Sequence, residues 1–258
     1  MLTYHRIRRD VEQLQSAWSM AWNELKHKPI ALAMNGIVSG LFGLALGGML
    51  LGQIYFRADI NGLNLLLSID VLIVMILPFL GSLYLSREYF AFNTMVSNEP
   101  FVKRLQFYRM WAIPLQTIAW SRMFYMMICL AVSFIGFLLT FITITWSSYS
   151  QLWGIGNYVI FIIVLISFAV ALGGLTPYFE FAAKGNKILI GQTLYMLLAL
   201  FLAIMSNVLT KRPLHLWIIQ LTDSYSWIVA GIAVSIAVLG IILFQRLLVS
   251  GLQRKEFM

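Results

Sequence analysis

Asp70 is the one acidic side chain set well inside an apolar run, about seven residues from where that run starts. A charge costs roughly 2.5 to 3.5 kcal/mol at the centre of a bilayer and less toward its edge, so this carboxylate must face protein or water and not lipid. Two roles suit it: a polar group lining a translocation path, or a structural hydrogen bond inside a helix bundle. The other reactive side chains are dispersed. His5, His27 and His215 stand far apart. His215 has the chemistry to sense pH or bind a metal, but a lone histidine near a membrane surface is ordinarily interfacial. Cys129 is the single cysteine, has no thiol in the chain to pair with, and reads as packing. No Gly-x-x-x-x-Gly-Lys-Ser/Thr run occurs, so the chain lacks that phosphate-cradling loop. No cluster has metal-ligand spacing, and the solitary carboxylates supply no general acid and base pair and no nucleophile triad. The expectation is a protein that is not an enzyme, with no catalytic, cofactor or metal site of its own.

The elements that would hold Asp70 in place are apolar helices. Of the 258 residues 60% are apolar and 11% charged, with a mean hydropathy of +0.84. Soluble chains carry about 25% charged residues, so the surplus apolar surface must face lipid. Runs long enough to cross about 30 Å of hydrocarbon lie near 30–52, 63–85, 122–145, 152–176, 188–209 and 226–248. The expected fold class is an all-α integral membrane protein with six transmembrane helices. Most of the eighteen Lys and Arg gather on one side: residues 1–29, an elbow between the second and third runs, Lys184 and Lys187, and the tail. Only Arg57, Lys211 and Arg212 fall on the other, which by the positive-inside rule puts both termini and the elbow in the cytoplasm. The net charge of +8 is then a topology signal, and no nucleic-acid partner is expected. The first run has no small-residue cleavage site, so no signal peptide is expected to be removed.

Two parts follow from this. Residues 1–29 form an amphipathic interfacial helix: Val11, Leu14, Trp18, Trp22 and Leu25 recur at spacings of three and four, charged residues fill the other faces, and Pro29 marks the turn into the bilayer. A helix packed on a partner protein is the alternative. Residues 30–258 form the transmembrane domain, with the elbow at 86–122. In the first span Gly36/Gly40, Gly43/Gly47 and Gly48/Gly52 have the four-residue spacing that lets helices approach closely; the partner helix belongs either to this chain or to a second copy. Pro78 is expected to kink the second span. In the elbow, Ser97 or Asn98 can cap a short helix near 99–110, with Pro100 in its first turn and Phe101, Leu105 and Arg109 on it. Trp111 follows. This partly apolar, partly basic surface suits protein docking. Before the sixth span, Pro213 opens a short apolar stretch, Leu214 to Leu221, too short to cross and fit for a re-entrant or interfacial helix.

Arg87-Glu88 after the second span, then Ala112-Ile113-Pro114-Leu115 and Ser121-Arg122 before the third, resemble the permease subunits of exporter-type, or type two, ABC transporters. The six-span layout covers the whole chain, while the motif residues fall in about forty positions. The resemblance implies that a separate ATPase subunit binds the ATP and docks on the elbow at Arg87, Glu88, Phe101, Leu105, Arg109 and Trp111. It implies a second permease copy or homologue, an export path between the two, an outer gate in the short helix before span six, and a multi-pass protein of a bacterial plasma membrane. No sizeable extracellular domain is present to resemble those of the larger exporters. Two other classes compete: an ion-coupled secondary transporter or channel using Asp70, and a non-transporting scaffold or immunity protein. No internal repeat of the kind common in secondary transporters is visible.

Overall fold

The computed structural model describes residues 2–55, 63–81, 106–108, 110–111, 113–182, 186–210 and 214–254, and all of its regular structure there is helical. Helix α1 (Leu2–Leu25) leads by a short turn into α2 (Pro29–Tyr55). Pro29 sits in the first turn of α2, where its missing N–H costs nothing. Of the stripe expected on α1 only Leu25 is buried, and it is joined there by two residues outside that stripe, Ala17 and Ala21. These three lie one per turn against the bundle, while Val11, Trp18 and Trp22 remain about half exposed beside it. Small alanines let the helix lie close, and the tryptophans stay on the side where an amphipathic ring suits a headgroup layer.

Helix α3 (Leu63–Ile76) tightens into a 3₁₀ turn over Leu77–Gly81. The cause is Pro78, which has no N–H for the carbonyl of Val74 and whose ring crowds that carbonyl. In an apolar interior the released carbonyls need other donors. The Tyr195 hydroxyl donates to Val74 at 2.7 Å. Asn35 Nδ2 and Ser133 Oγ donate to Leu80 at 3.3 and 2.9 Å. Tyr195→Phe is therefore expected to lower stability by about 1 kcal/mol by orphaning the Val74 carbonyl. Thermal unfolding in detergent checks this, and an unchanged midpoint would show that the carbonyl finds another donor.

Helix α4 (Leu115–Gly173) is two arms joined at Gly154, whose φ of 77° is left-handed and suits glycine. In a straight helix Thr145 and Tyr158 would stand about 20 Å apart, yet their hydroxyls meet at 2.8 Å, so the arms fold back on each other as a hairpin. The second arm continues through α5 (Leu175–Ala182). Helix α6 (Asn186–Thr210) follows, then α7 (Leu214–Arg254), broken at Tyr225. The first arm of α4 is the centre of the molecule. Its Met123, Met126, Phe134 and Phe137 join one core with Ile69 and Ile73 of α3, Phe161 of the second arm and Leu248 of α7.

The glycines expected to seat a helix find that helix within the chain. Gly36, Gly40, Gly43 and Gly47 face Val132, Gly136, Thr140 and Ile144 of α4, whereas Gly48 and Gly52 face open space. Thr140 Oγ1 donates to the Gly40 carbonyl at 2.8 Å across this seam.

Four stretches are long and apolar enough to cross a membrane: Pro29–Gly52, Leu115–Gln151, Gly154–Phe181 and Trp227–Arg254. Of the run expected at 63–85 the described part, 63–81, forms α3 and its 3₁₀ turn, and the run expected at 188–209 lies on α6. Their apolar parts among the described residues, Ile69–Gly81 and Thr193–Met205, are shorter. The third span also differs from expectation at its start. Pro114 ends the extended chain and helix begins at Leu115, so 115–122, read as elbow, belongs to α4. Large apolar side chains such as Leu194 and Phe201 on α6 and Ile232, Leu239 and Leu243 on α7 are exposed, a surface that lipid and not water accommodates. The chain is an all-α, membrane-embedded protein.

Candidate functional site

Among the described residues, two constellations of charged and polar side chains stand out in this apolar bundle. The first is built on Arg122, in the second turn of α4. Its guanidinium, only 3% exposed, pairs with Glu24 of α1 at 2.7 Å. Its Nη2 donates to the Tyr108 hydroxyl at 2.6 Å. The same flat cation lies over the rings of Phe181 at 4.8 Å, Tyr108 at 5.4 Å and Tyr125 at 5.7 Å. Lys28 reaches the other oxygen of Glu24 at 3.4 Å. A buried guanidinium is tolerable only when charge, hydrogen bonds and aromatic faces replace its water, and arginine's planar fork can use all three. One side chain thereby joins α1, the chain before α4, α4 itself and α5.

Beyond Tyr108 the apolar tip is bare. Phe107, Met110 and Trp111 are exposed, Trp111 to 71%, with the Phe107 and Trp111 rings 6.1 Å apart. Between this tip and the Glu12–Ser16 face of α1 runs an open groove of about 440 Å³. Of the residues expected to dock a partner, Trp111 is thus displayed; Arg87, Glu88, Phe101, Leu105 and Arg109 lie outside the described residues.

The second constellation holds Asp70. Its Oδ1 accepts the backbone N–H of His215 at 3.1 Å and lies 2.7 Å from His215 Nδ1, and both side chains are fully buried. His215 is therefore not an interfacial histidine but the inward partner of the carboxylate. It stands in the first turn of α7, where backbone N–H groups lack partners within the helix and the dipole favours an anion. At the other end of the same segment, Asn157 Nδ2 donates to Asp223 Oδ1 at 2.9 Å.

The side chains that sequence reasoning missed as partners are Glu24, Tyr108 and His215. The available signal for the first two was an arginine buried by the apolar run that follows it, which must be neutralised from another element. For His215 no local signal exists, since Asp70 is 145 positions away. Cys129 is packing as expected, buried against Leu25. Among the described residues no group of three or more His, Cys, Asp or Glu gathers to hold a metal ion. Compared with known protein families, curated proteins and solved structures, the chain matches none.

Proposed function

We propose that this chain is the transmembrane permease subunit of an ATP-dependent exporter, driven by a separate ATPase subunit that docks on the basic elbow side. In this reading the membrane is crossed six times, both termini are cytoplasmic, and a second permease copy or homologue completes the path. The observation that carries it is the Arg122 junction. A push on the chain near Tyr108 cannot be absorbed locally, because a cation buried among four segments transmits it to α1, α4 and α5 together. The exposed Phe107, Met110 and Trp111 beside that junction are the contact surface. The Arg87-Glu88 and Ile113-Pro114-Leu115 resemblance supports the same assignment.

The test is copurification of the detergent-solubilised chain with ATPases of its own cell, followed by ATP hydrolysis in lipid. Phe101→Glu, Leu105→Glu and Trp111→Glu are each expected to lower association by tenfold or more, since a charge in an apolar docking centre costs on the order of 2 kcal/mol or above. Association and stimulation that survive all three changes would remove the docking assignment.

The buried Asp70–His215 pair favours a second reading, an ion-coupled transporter with that carboxylate as its ion or proton site. Transport would then persist without ATP and vanish in Asp70→Asn. ATP dependence with an active Asp70→Asn would eliminate it.

A further inference from the structure

The open groove of about 440 Å³ between α1 and the start of α4 has two walls of opposite hydrogen-bonding character. Its size falls within the roughly 300–1,000 Å³ that small-molecule sites take. On one side it meets α4 at Pro114 and Thr117. Pro114 stands at the N-cap with no side-chain oxygen to offer, so the first-turn N–H groups of Leu115, Gln116 and Thr117 go without a side-chain cap. Thr117 adds a further donor. Farther along the same helix Thr143 and Thr145 donate to the carbonyl four residues back, at 2.6 and 2.7 Å. For Thr117 that carbonyl belongs to Ile113, in the extended chain before the helix, and the hydroxyl bonds to no described residue although the side chain is only 3% exposed. It lines the groove and is not sealed within the bundle as the Ser121 and Thr176 hydroxyls are. The α1 wall offers acceptors. Ser16 and Ser19 donate their hydroxyl protons within the helix, to the carbonyls of Glu12 and Ser16, both at 2.9 Å, so their lone pairs are left for the groove. The Glu12 carboxylate lines the same wall. It has a further contact elsewhere in the chain, and with about four lone-pair sites it can take an ammonium as well. Trp111, exposed on the rim, contributes a ring face that attracts a cation.

We propose that this groove holds the headgroup of a membrane phospholipid that joins a phosphodiester to a primary amine, as phosphatidylethanolamine does. The phosphate meets the uncapped start of α4 and the Thr117 hydroxyl, where free N–H groups and the helix dipole favour an anion. The ammonium brings its N–H donors to Glu12, Ser16 and Ser19. A phosphate alone would face the Glu12 carboxylate, and a quaternary amine would bring no N–H to these acceptors. The occupant is a lipid because of where the groove lies. The stretch Leu115–Gln151, long and apolar enough to cross a membrane, begins at this same turn, and the half-exposed Trp18 and Trp22 of α1 suit the headgroup layer beside it. The site is independent of what drives transport, because α1 and α4 of one chain build it.

The test measures lipid retained by the full, detergent-purified chain in native mass spectrometry. Phosphatidylethanolamine, phosphatidylcholine and phosphatidylglycerol with the same acyl chains are supplied at equal concentration. The parent is expected to retain phosphatidylethanolamine about tenfold or more over each of the others, the factor that a lost charged hydrogen-bond partner costs. Glu12→Gln removes the charge that the amine meets and is expected to bring the preference over phosphatidylglycerol to within about threefold. Thr117→Val keeps the shape without the donor and is expected to lower phosphatidylethanolamine retention about fivefold. Equal retention of the three lipids by the parent overturns the proposal. So does Glu12→Gln with undiminished preference, or Thr117→Val with undiminished retention. Displacement of the lipid by an equal concentration of soluble glycerophosphoethanolamine would assign the groove to a free solute and overturn the membrane assignment. Should Thr117→Val yield no folded protein, Glu12→Gln, at an exposed position of α1, decides alone by the same readout.

Discussion

Arg122→Ala is expected to destabilise the chain by about 3 kcal/mol, the lower range for breaking a buried ion pair. The Glu24 carboxylate, side chain 12% exposed, would lose its 2.7 Å partner, and Lys28 stands farther off at 3.4 Å. The Tyr108 hydroxyl would lose its donor, and three aromatic rings would face a void. Arg122→Lys restores charge but neither the fork nor the flat face, so it is expected to recover less than half of the loss. The measurement is thermal unfolding in detergent of both variants, together with Glu24→Gln and the double variant. If the two single changes simply add, Arg122 and Glu24 act separately, and the junction does not work as one unit. If the permease reading holds, Arg122→Ala should also leave a bound ATPase unstimulated by the chain, because the docking tip would remain while its link to α1 and α5 is gone.

Gly136→Leu is expected to be the other severe change. Even the Cβ of an alanine there would be driven into the carbonyl of Gly36, where backbone meets backbone and no flexible side chain can yield. The seam between α2 and α4 would have to open, weakening the Thr140 bond to Gly40 and the 2.7 Å bond from Asn35 to Ser133. Overpacking of this kind costs about 1 to 3 kcal/mol, with leucine at or above the upper end. Gly48→Ala and Gly52→Ala provide the contrast. Neither meets another atom, and replacing a helical glycine by alanine gains up to about 1 kcal/mol. Unfolding midpoints of these variants in detergent decide the matter. Gly136→Leu as stable as the parent would contradict the close seam, while a large loss at Gly48→Ala would mean that another chain packs on that face.

How much of this was legible in the residues varies with the range of the interaction. The apolar runs map onto helices because crossing lipid is an additive property of neighbouring residues. Pro78 foretold the 3₁₀ turn because its effect reaches only to the carbonyl four positions back. Pro114 carried a comparable signal for the start of α4, but the polar residues after it suggested a longer elbow. The stripe on α1 showed that the helix is amphipathic. It did not show that Ala17 and Ala21 would meet the bundle while Trp18 and Trp22 stayed outside, because alanine carries little hydropathy contrast and its value here is shape.

The sequence by itself determined the solvent of this protein, its helical class, the break at Pro78, and that Asp70 could not face lipid. Each follows from transfer free energy or backbone geometry within a few residues. Only the tertiary structure decided that Asp70 meets His215, that Arg122 gathers Glu24, Tyr108 and Phe181, and that four of the six paired glycines serve a seam inside the chain while Gly48 and Gly52 do not. A carboxylate or guanidinium removed from water takes whichever partner the packed helices bring within about 3 Å. That choice depends on how whole helices lie against one another, which no local spacing encodes.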